Sequence, residues 1–205
     1  MLLRLVLFLC GAVVMSVEIL ASRVLVEFGD NLFVWGALIG TFIGALSLGY
    51  WFGGIASDRW PTRLALGAII SAAGIVLTVM TPFAKGITES ISALHINGEY
   101  SYWLKPLMAA TIIYLVPVML LGAVSPYCVR LAAHDLTKLG KKVGGFYAIS
   151  SLGSIIGTFL TAFYLIGLES GVRATLLAEG LLLMALSIPV YIAGFFFEES
   201  GPQNR

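Results

Sequence analysis

An all-α integral membrane fold with six transmembrane helices is the class this sequence predicts, and three observations predict it. The 205 residues are 59% hydrophobic and only 11% charged, with a mean hydropathy of +0.98. The apolar residues fall into six runs, each near the roughly 20 residues that a helix needs to cross a bilayer. None of these runs alternates polar and apolar positions over about ten residues, as membrane barrel strands do. The chain therefore reads as a single polytopic membrane domain over residues 1–205, and a formal net charge of +1 gives no sign of a nucleic-acid partner.

The first helix is placed over 2–28. Its opening MLLRLVLF resembles a secretory signal, but the apolar run continues past a short core and offers no A-x-A site, so it reads as a retained helix. It carries Glu18 and Arg23. An acid near the bilayer centre costs about 2.5–3.5 kcal/mol on insertion scales, so it faces protein or a wet cavity. Arg23 lies about 140° around the helix from Glu18, which makes Glu27, one turn further on, or a neighbouring helix its better partner. Glu18 has no partner in its own helix. It reads either as half of an interhelical pair or as a site for a cation, a polyamine or a proton.

The second helix, 31–55, places Gly36, Gly40 and Gly44 on one face, with Gly49 and Gly53 similarly spaced. Small residues four apart let helix backbones approach closely, so these glycines are expected to pack against a neighbour; the functional alternative is a face that slides or lines a path. A short inner turn follows, with Asp58, Arg59, Pro61 and Arg63. The third helix is placed over 62–83. The polar and aromatic stretch 84–105 is expected to be an outer loop anchored at the interface by Tyr100, Tyr102 and Trp103. The fourth helix, 106–132, contains Pro117 and Pro126, each a potential kink. Arg130, near its end, is expected to snorkel to the inner interface, to cap a helix end, or to sit beside a cytoplasmic partner. A basic inner loop, 133–142, leads to the fifth helix, 143–168, where Ser150, Gly153, Ser154 and Gly157 repeat the small-residue spacing. The sixth helix, 172–197, carries Glu179 about two turns from its expected outer end, open to the same two readings as Glu18.

Lysine and arginine set the orientation. With the N-terminus inside, the inner face collects Arg4, Arg59, Arg63, Arg130, Lys138, Lys141, Lys142 and Arg205, against Arg23, Lys85, Lys105 and Arg173 outside. Both termini are therefore expected in the cytoplasm, in an inner or plasma membrane. A shift of 113 positions lays Phe33 on Phe146, Gly40 on Gly153 and Gly44 on Gly157. This suggests two three-helix units of opposite topology, a device of transporters. Cys10 and Cys128 lie in apolar runs and read as small packing residues rather than a disulfide. His95 and His134 are isolated. There is no G-x-G-x-x-G, P-loop or H-E-x-x-H pattern and no Cys/His cluster, so no cofactor and no metal is expected, and no enzyme activity.

Gly54, Asp58, Arg59 and Arg63 resemble the inner loop between the second and third helices of major facilitator transporters, where charge contacts help fix one conformational state. Three longer stretches resemble something narrower. SVEILASRVLVEFGDNLFVWGALIGTFIGALSLGYWFGGIASDR, LLGAVSPYCVRLA and GKKVGGFYAISSLGSIIGTFLTAFYLI are similar to the membrane half of the fused major-facilitator/spermidine-synthase-like family. The resemblance covers over half of the chain. It rests most on Glu18 with Arg23, on Ser125, Pro126, Tyr127 and Arg130, and on Gly144 through Gly157 with Tyr147. It implies a half-major-facilitator bundle; its Glu18, Arg23 and Tyr147, taken with Glu179 of the sixth helix, make the candidate intramembrane polar site, and Asp58, Arg59, Arg63, Tyr127 and Arg130 the candidate cytoplasmic-side motif. In that family a cytosolic aminopropyltransferase-like domain with a Rossmann-type fold follows the helices; EESGPQNR carries none, so catalysis is not expected of this chain.

Two functions are in play. One is a non-catalytic membrane subunit or anchor that packs with a partner, such as a cytosolic spermidine-synthase-like domain, or with a larger complex. The other is a half-size transporter of a cationic solute such as a polyamine, working as a dimer. An intramembrane enzyme is disfavoured, because no nucleophile or metal-ligand pattern accompanies the carboxylates.

Overall fold

A computed structural model describes residues 1–96, 98, 100–132, 139–167 and 171–198. The described secondary structure is helical throughout. It runs α1 (Leu2–Val24), α2 (Leu32–Arg59), α3 (Arg63–Ser92), α4 (Tyr100–Ala132), α5 (Leu139–Phe163) and α6 (Gly171–Glu198), with single 3-10 turns at Val26–Phe28 and Leu165–Gly167. All six helices are long and apolar enough to cross a bilayer, the makeup of a multi-pass membrane protein. Their outward faces carry large apolar side chains, among them Ile43, Trp51, Ile156 and Phe195, as lipid-facing surfaces do.

Local chemistry fixes several helix ends. Asn31 caps α2, its side-chain oxygen accepting from the amides of Phe33 at 3.0 Å and Val34 at 3.1 Å. Thr62 caps α3 by accepting from Ala65 N at 3.1 Å. Gly29, at φ 88°, makes the left-handed step that lets the chain leave α1 and enter α2.

α2, α3, α4 and α6 outrun the spans expected from hydropathy, whereas α1 stops at Val24, short of the expected 28, and α5 runs from Leu139 to Phe163, earlier at both ends than the expected 143–168. Residues 84–92, expected in a loop, continue α3. Pro82 is accommodated inside the helix, Lys85 and Glu89 pair one turn apart at 3.6 Å, and Thr88 and Ser90 bond back to Lys85 O and Gly86 O. Residues 100–105 are likewise the first turns of α4, so 93–99 alone connect the two. Asp58 and Arg59 form the last turn of α2 rather than a loop. At the basic connection 139–142 are helical, while 133–138, with His134 and Lys138, lie outside the described residues, as do residue 168 and 199–205. α3, at 30 residues, is about 45 Å long against a hydrocarbon layer of roughly 30 Å, so its polar last turns stand clear of it.

Three helix pairs build the bundle: α2 on α4, α1 on α5 and α3 on α6, with α3 also packed on α4. Each seam is backbone against backbone. A Cβ at Gly153 or Gly157 would collide with the backbone of Phe8 or Ala12, one at Gly49 or Gly53 with α4 at Met119 or Ala123, and one at Gly74 with Gly180 O. Gly36, Gly40 and Gly44 do not pack in this way. They are exposed, with nothing within 4 Å of a would-be Cβ, because α2 turns its Gly49–Gly53 face, and not this one, toward α4.

A candidate intramembrane polar site

The bundle interior is apolar, built from side chains such as Leu20, Leu38, Phe42, Ile70 and Val118. Against that background one polar group stands out. Glu179 of α6 is only 7% exposed. Its Oε1 accepts a hydrogen bond from Ser16 Oγ of α1, and Ser16 Oγ lies 2.5 Å from Thr161 Oγ1 of α5. With Glu179 ionised, the one Ser16 proton goes to Glu179 and Thr161 donates to Ser16; the contact between the two hydroxyls allows either direction. The result is a chain of three groups from three helices, at the point where α1, α5 and α6 converge. Thr161 is fully buried and Ser16 nearly so.

The chain is incomplete at one end. Among the described residues, Glu179 Oε2 is buried and has no hydrogen-bond partner, and the same holds for Tyr114 Oη of α4 and Thr41 Oγ1 of α2. Tyr114 is within electrostatic reach of Glu179, and its ring packs against Phe42 with centroids 5.7 Å apart. An unsatisfied buried polar group costs about 1–3 kcal/mol and a charged one more.

The other residues singled out in the sequence fall elsewhere. Glu18 is half-buried, on the α1 face turned away from Ser16, and makes no hydrogen bond or ion pair among the described residues. Arg23 is exposed and does not pair with Glu27. α1 ends at Val24 and the chain tightens into the 3-10 turn, which removes the helical register that would have brought the two together. Arg23 instead lines a recess of about 200 Å³ with Ile19, Ser22, Asp30, Trp35 and Ala162. Tyr147 is 57% exposed and lines a groove of about 240 Å³ with Tyr50, Ser125, Ser150, Ser151 and Ser154. Buried residues of α1 and α4 form the floor of this groove; α2 and α5, which are not among the closely packed pairs, form its walls.

Two members of the motif expected on the cytoplasmic side meet. Arg130 Nε bonds Asp58 Oδ1 at 2.9 Å, both side chains being exposed, so the pair contributes about 0–1 kcal/mol. Next to it the Tyr127 hydroxyl reaches Trp60 O at 2.7 Å and Ala56 O at 3.2 Å, which ties the end of α2 to α4. Arg59 lies over the Trp60 ring at 5.5 Å. Arg63 is engaged at the start of α3. Cys10 and Cys128 are buried free thiols. Among the described residues no group of His, Cys, Asp and Glu is placed to hold a metal ion.

Ser16, Thr161, Tyr114, Thr41 and Tyr50 escaped the sequence reading. A lone hydroxyl in an apolar run was the available signal, but it does not say which helix it faces. No family model, curated protein or solved structure matches the chain. Fold and site together define a polytopic helical membrane protein with a buried carboxyl at its centre.

Proposed function

We propose that the chain is a non-catalytic membrane subunit that packs against a second polypeptide across the face formed by α1, α2, α4 and α5. The observation carrying this reading is the groove between α2 and α5. It sets two tyrosines and four serines in an opening on the side of an otherwise apolar bundle. Ser154 is bonded to Gly11 O at 3.2 Å, and the two tyrosine hydroxyls, which have no carbonyl of their own helix in reach, would face hydrocarbon without the partners that water or protein supplies, so such a face calls for a cover. The outward stripe of Gly36, Gly40 and Gly44 on α2 offers a further place of close approach. On the resemblance described above, a cytosolic spermidine-synthase-like domain is a further partner, on the side of the two termini.

A second reading, a half-size transporter of a cationic solute that works as a dimer, draws support from the helix pairing. Two inverted units of three helices exchange first with fourth, second with fifth and third with sixth. That exchange carries the α1–α5 pair onto α4–α2 and α3–α6 onto itself, the three main pairs of this bundle.

A photo-crosslinking amino acid at Tyr147 in native membranes, with Phe195 as the lipid-facing control, tests both. An adduct at twice the 21.9 kDa chain mass, from Tyr147 alone, supports the dimer. An adduct with another polypeptide supports the subunit reading. No polypeptide adduct from Tyr147 overturns both. Spermidine uptake into proteoliposomes that Glu179→Gln abolishes would favour the transporter.

A further inference from the structure

We infer that Glu179 is a proton-exchange site, with Ser16 and Thr161 as its hydrogen-bonded relay. This stands apart from the proposed assembly, since the cluster lies wholly inside one chain. The first argument is the carboxyl's own surroundings. One oxygen has a donor and the other, equally buried, has none. The ionised form would leave a charge in the bundle with no cation beside it. The charged and titratable groups on the surrounding helices do not supply one. On α1, Glu18 faces away and Arg23 lies two turns outward from Ser16, about 10 Å along the helix axis. α3 offers only Arg63, Lys85 and Glu89, all toward its ends; α4 has Tyr114, with its cations Lys105 and Arg130 near its ends and engaged by Ser92 O and Asp58; α5 has none between Tyr147 and the Tyr164 that follows it; and on α6 itself Arg173 is exposed, six residues before Glu179. A bound proton removes the charge.

The second argument is the relay. With Glu179 ionised, Thr161 donates to Ser16 and Ser16 to Glu179. With Glu179 protonated, its own hydroxyl can donate to Ser16, and Ser16 to Thr161. The same three groups stay bonded while every donor reverses, so one proton is gained or lost without moving a helix. A metal ion fits less well. Its oxygen ligands would be spread around it, whereas Ser16 and Thr161 are hydrogen-bonded to each other.

The third argument is position. The groove is lined on α1 by Leu7 through Met15 and on α5 by Ser150 through Ser154; the recess with Arg23 begins at Ile19 on α1 and Ala162 on α5. Ser16 and Thr161 fall between the two on both helices. In height along the α1–α5 seam the hydrogen-bonded cluster therefore falls between the groove and the recess, and neither opening is lined by Ser16, Thr161 or Glu179.

Infrared difference spectroscopy of the purified full-length protein in lipid nanodiscs, between about pH 5 and about pH 9, reads the site directly. The wild type is expected to show a protonated-carboxyl C=O band that Glu179→Gln lacks. Ser16→Ala should retain that band at a shifted frequency, which covers the case in which the glutamine variant fails to fold. Wild-type and Glu179→Gln spectra with identical carboxyl bands across the range, or a wild-type band that Ser16→Ala leaves unmoved, would overturn the inference. Loss of the wild-type band on adding sodium at fixed pH would also overturn it, by assigning the site to a metal cation.

Discussion

Without the Ser16 hydroxyl, both oxygens of Glu179 would be buried with no donor. Ser16→Ala is therefore expected to lower stability by about 1–3 kcal/mol, read from thermal unfolding of the purified protein in detergent. Glu18 makes no such bond, and Glu18→Gln should change the same melt by no more than about 0.5 kcal/mol. Tyr127→Phe removes the hydroxyl that reaches Trp60 O and should cost about 0.5–1.5 kcal/mol by the same assay. The two acids were equally visible in the sequence as charges within apolar runs, but their fates differ. Glu179 joins the interior cluster and Glu18 does not, because that outcome depends on which helix each one faces. The hydroxyls were less legible still. A serine or threonine in a membrane helix can always satisfy itself on the carbonyl one turn back, as Thr81 does on Leu77 O at 2.7 Å. Its presence therefore carries no sign of an interhelical bond such as that of Ser16 with Thr161.

Among the elements, the glycine seams make a differential prediction. Gly153→Val forces a branched side chain into the backbone of Phe8 and should destabilise by about 1–3 kcal/mol or more, whereas Gly40→Val meets open space and should leave the bundle melt within about 0.5 kcal/mol. A Gly40→Val variant that breaks adduct formation from Tyr147 while leaving that melt intact would tie the outward stripe to the partner. The spacing of four was read alike in both helices. It announces a face suited to close contact but not whether the contact lies inside the chain or beyond it, and α2 carries one face of each kind. Hydropathy located all six helices but underestimated α2, α3 and α4 for a related reason, and overran the end of α1, which tightens into a 3-10 turn after Val24. It reports where the chain meets hydrocarbon, while the helix continues wherever capping, the Lys85–Glu89 pair and back-bonded hydroxyls allow. The lengthening of α3 to Ser92 and of α2 to Arg59 are the clearest instances.

At the scale of the whole molecule, α5 packs on α1 and touches α4 only lightly, while α2, α4, α3 and α6 form a continuous run of packed neighbours. The wall formed by α5 is thus the least supported part of the bundle, and α5 amides are expected to exchange with deuterium faster than those of α4 in the isolated chain, with the difference narrowing when the groove is covered. Beyond the hydrocarbon, α3 and α4 project as an antiparallel hairpin, tied where Lys105 Nζ bonds Ser92 O at 2.9 Å and turning near Gly98 at φ 87°. This projection gives the protein a handle. An epitope inserted at Gly98 should be carried clear of the headgroups without touching any glycine seam. With the N-terminus inside, an antibody should reach that epitope on intact cells, and staining only after permeabilisation would reverse the orientation. A chain otherwise immersed in lipid is in this way made addressable from one side of the membrane.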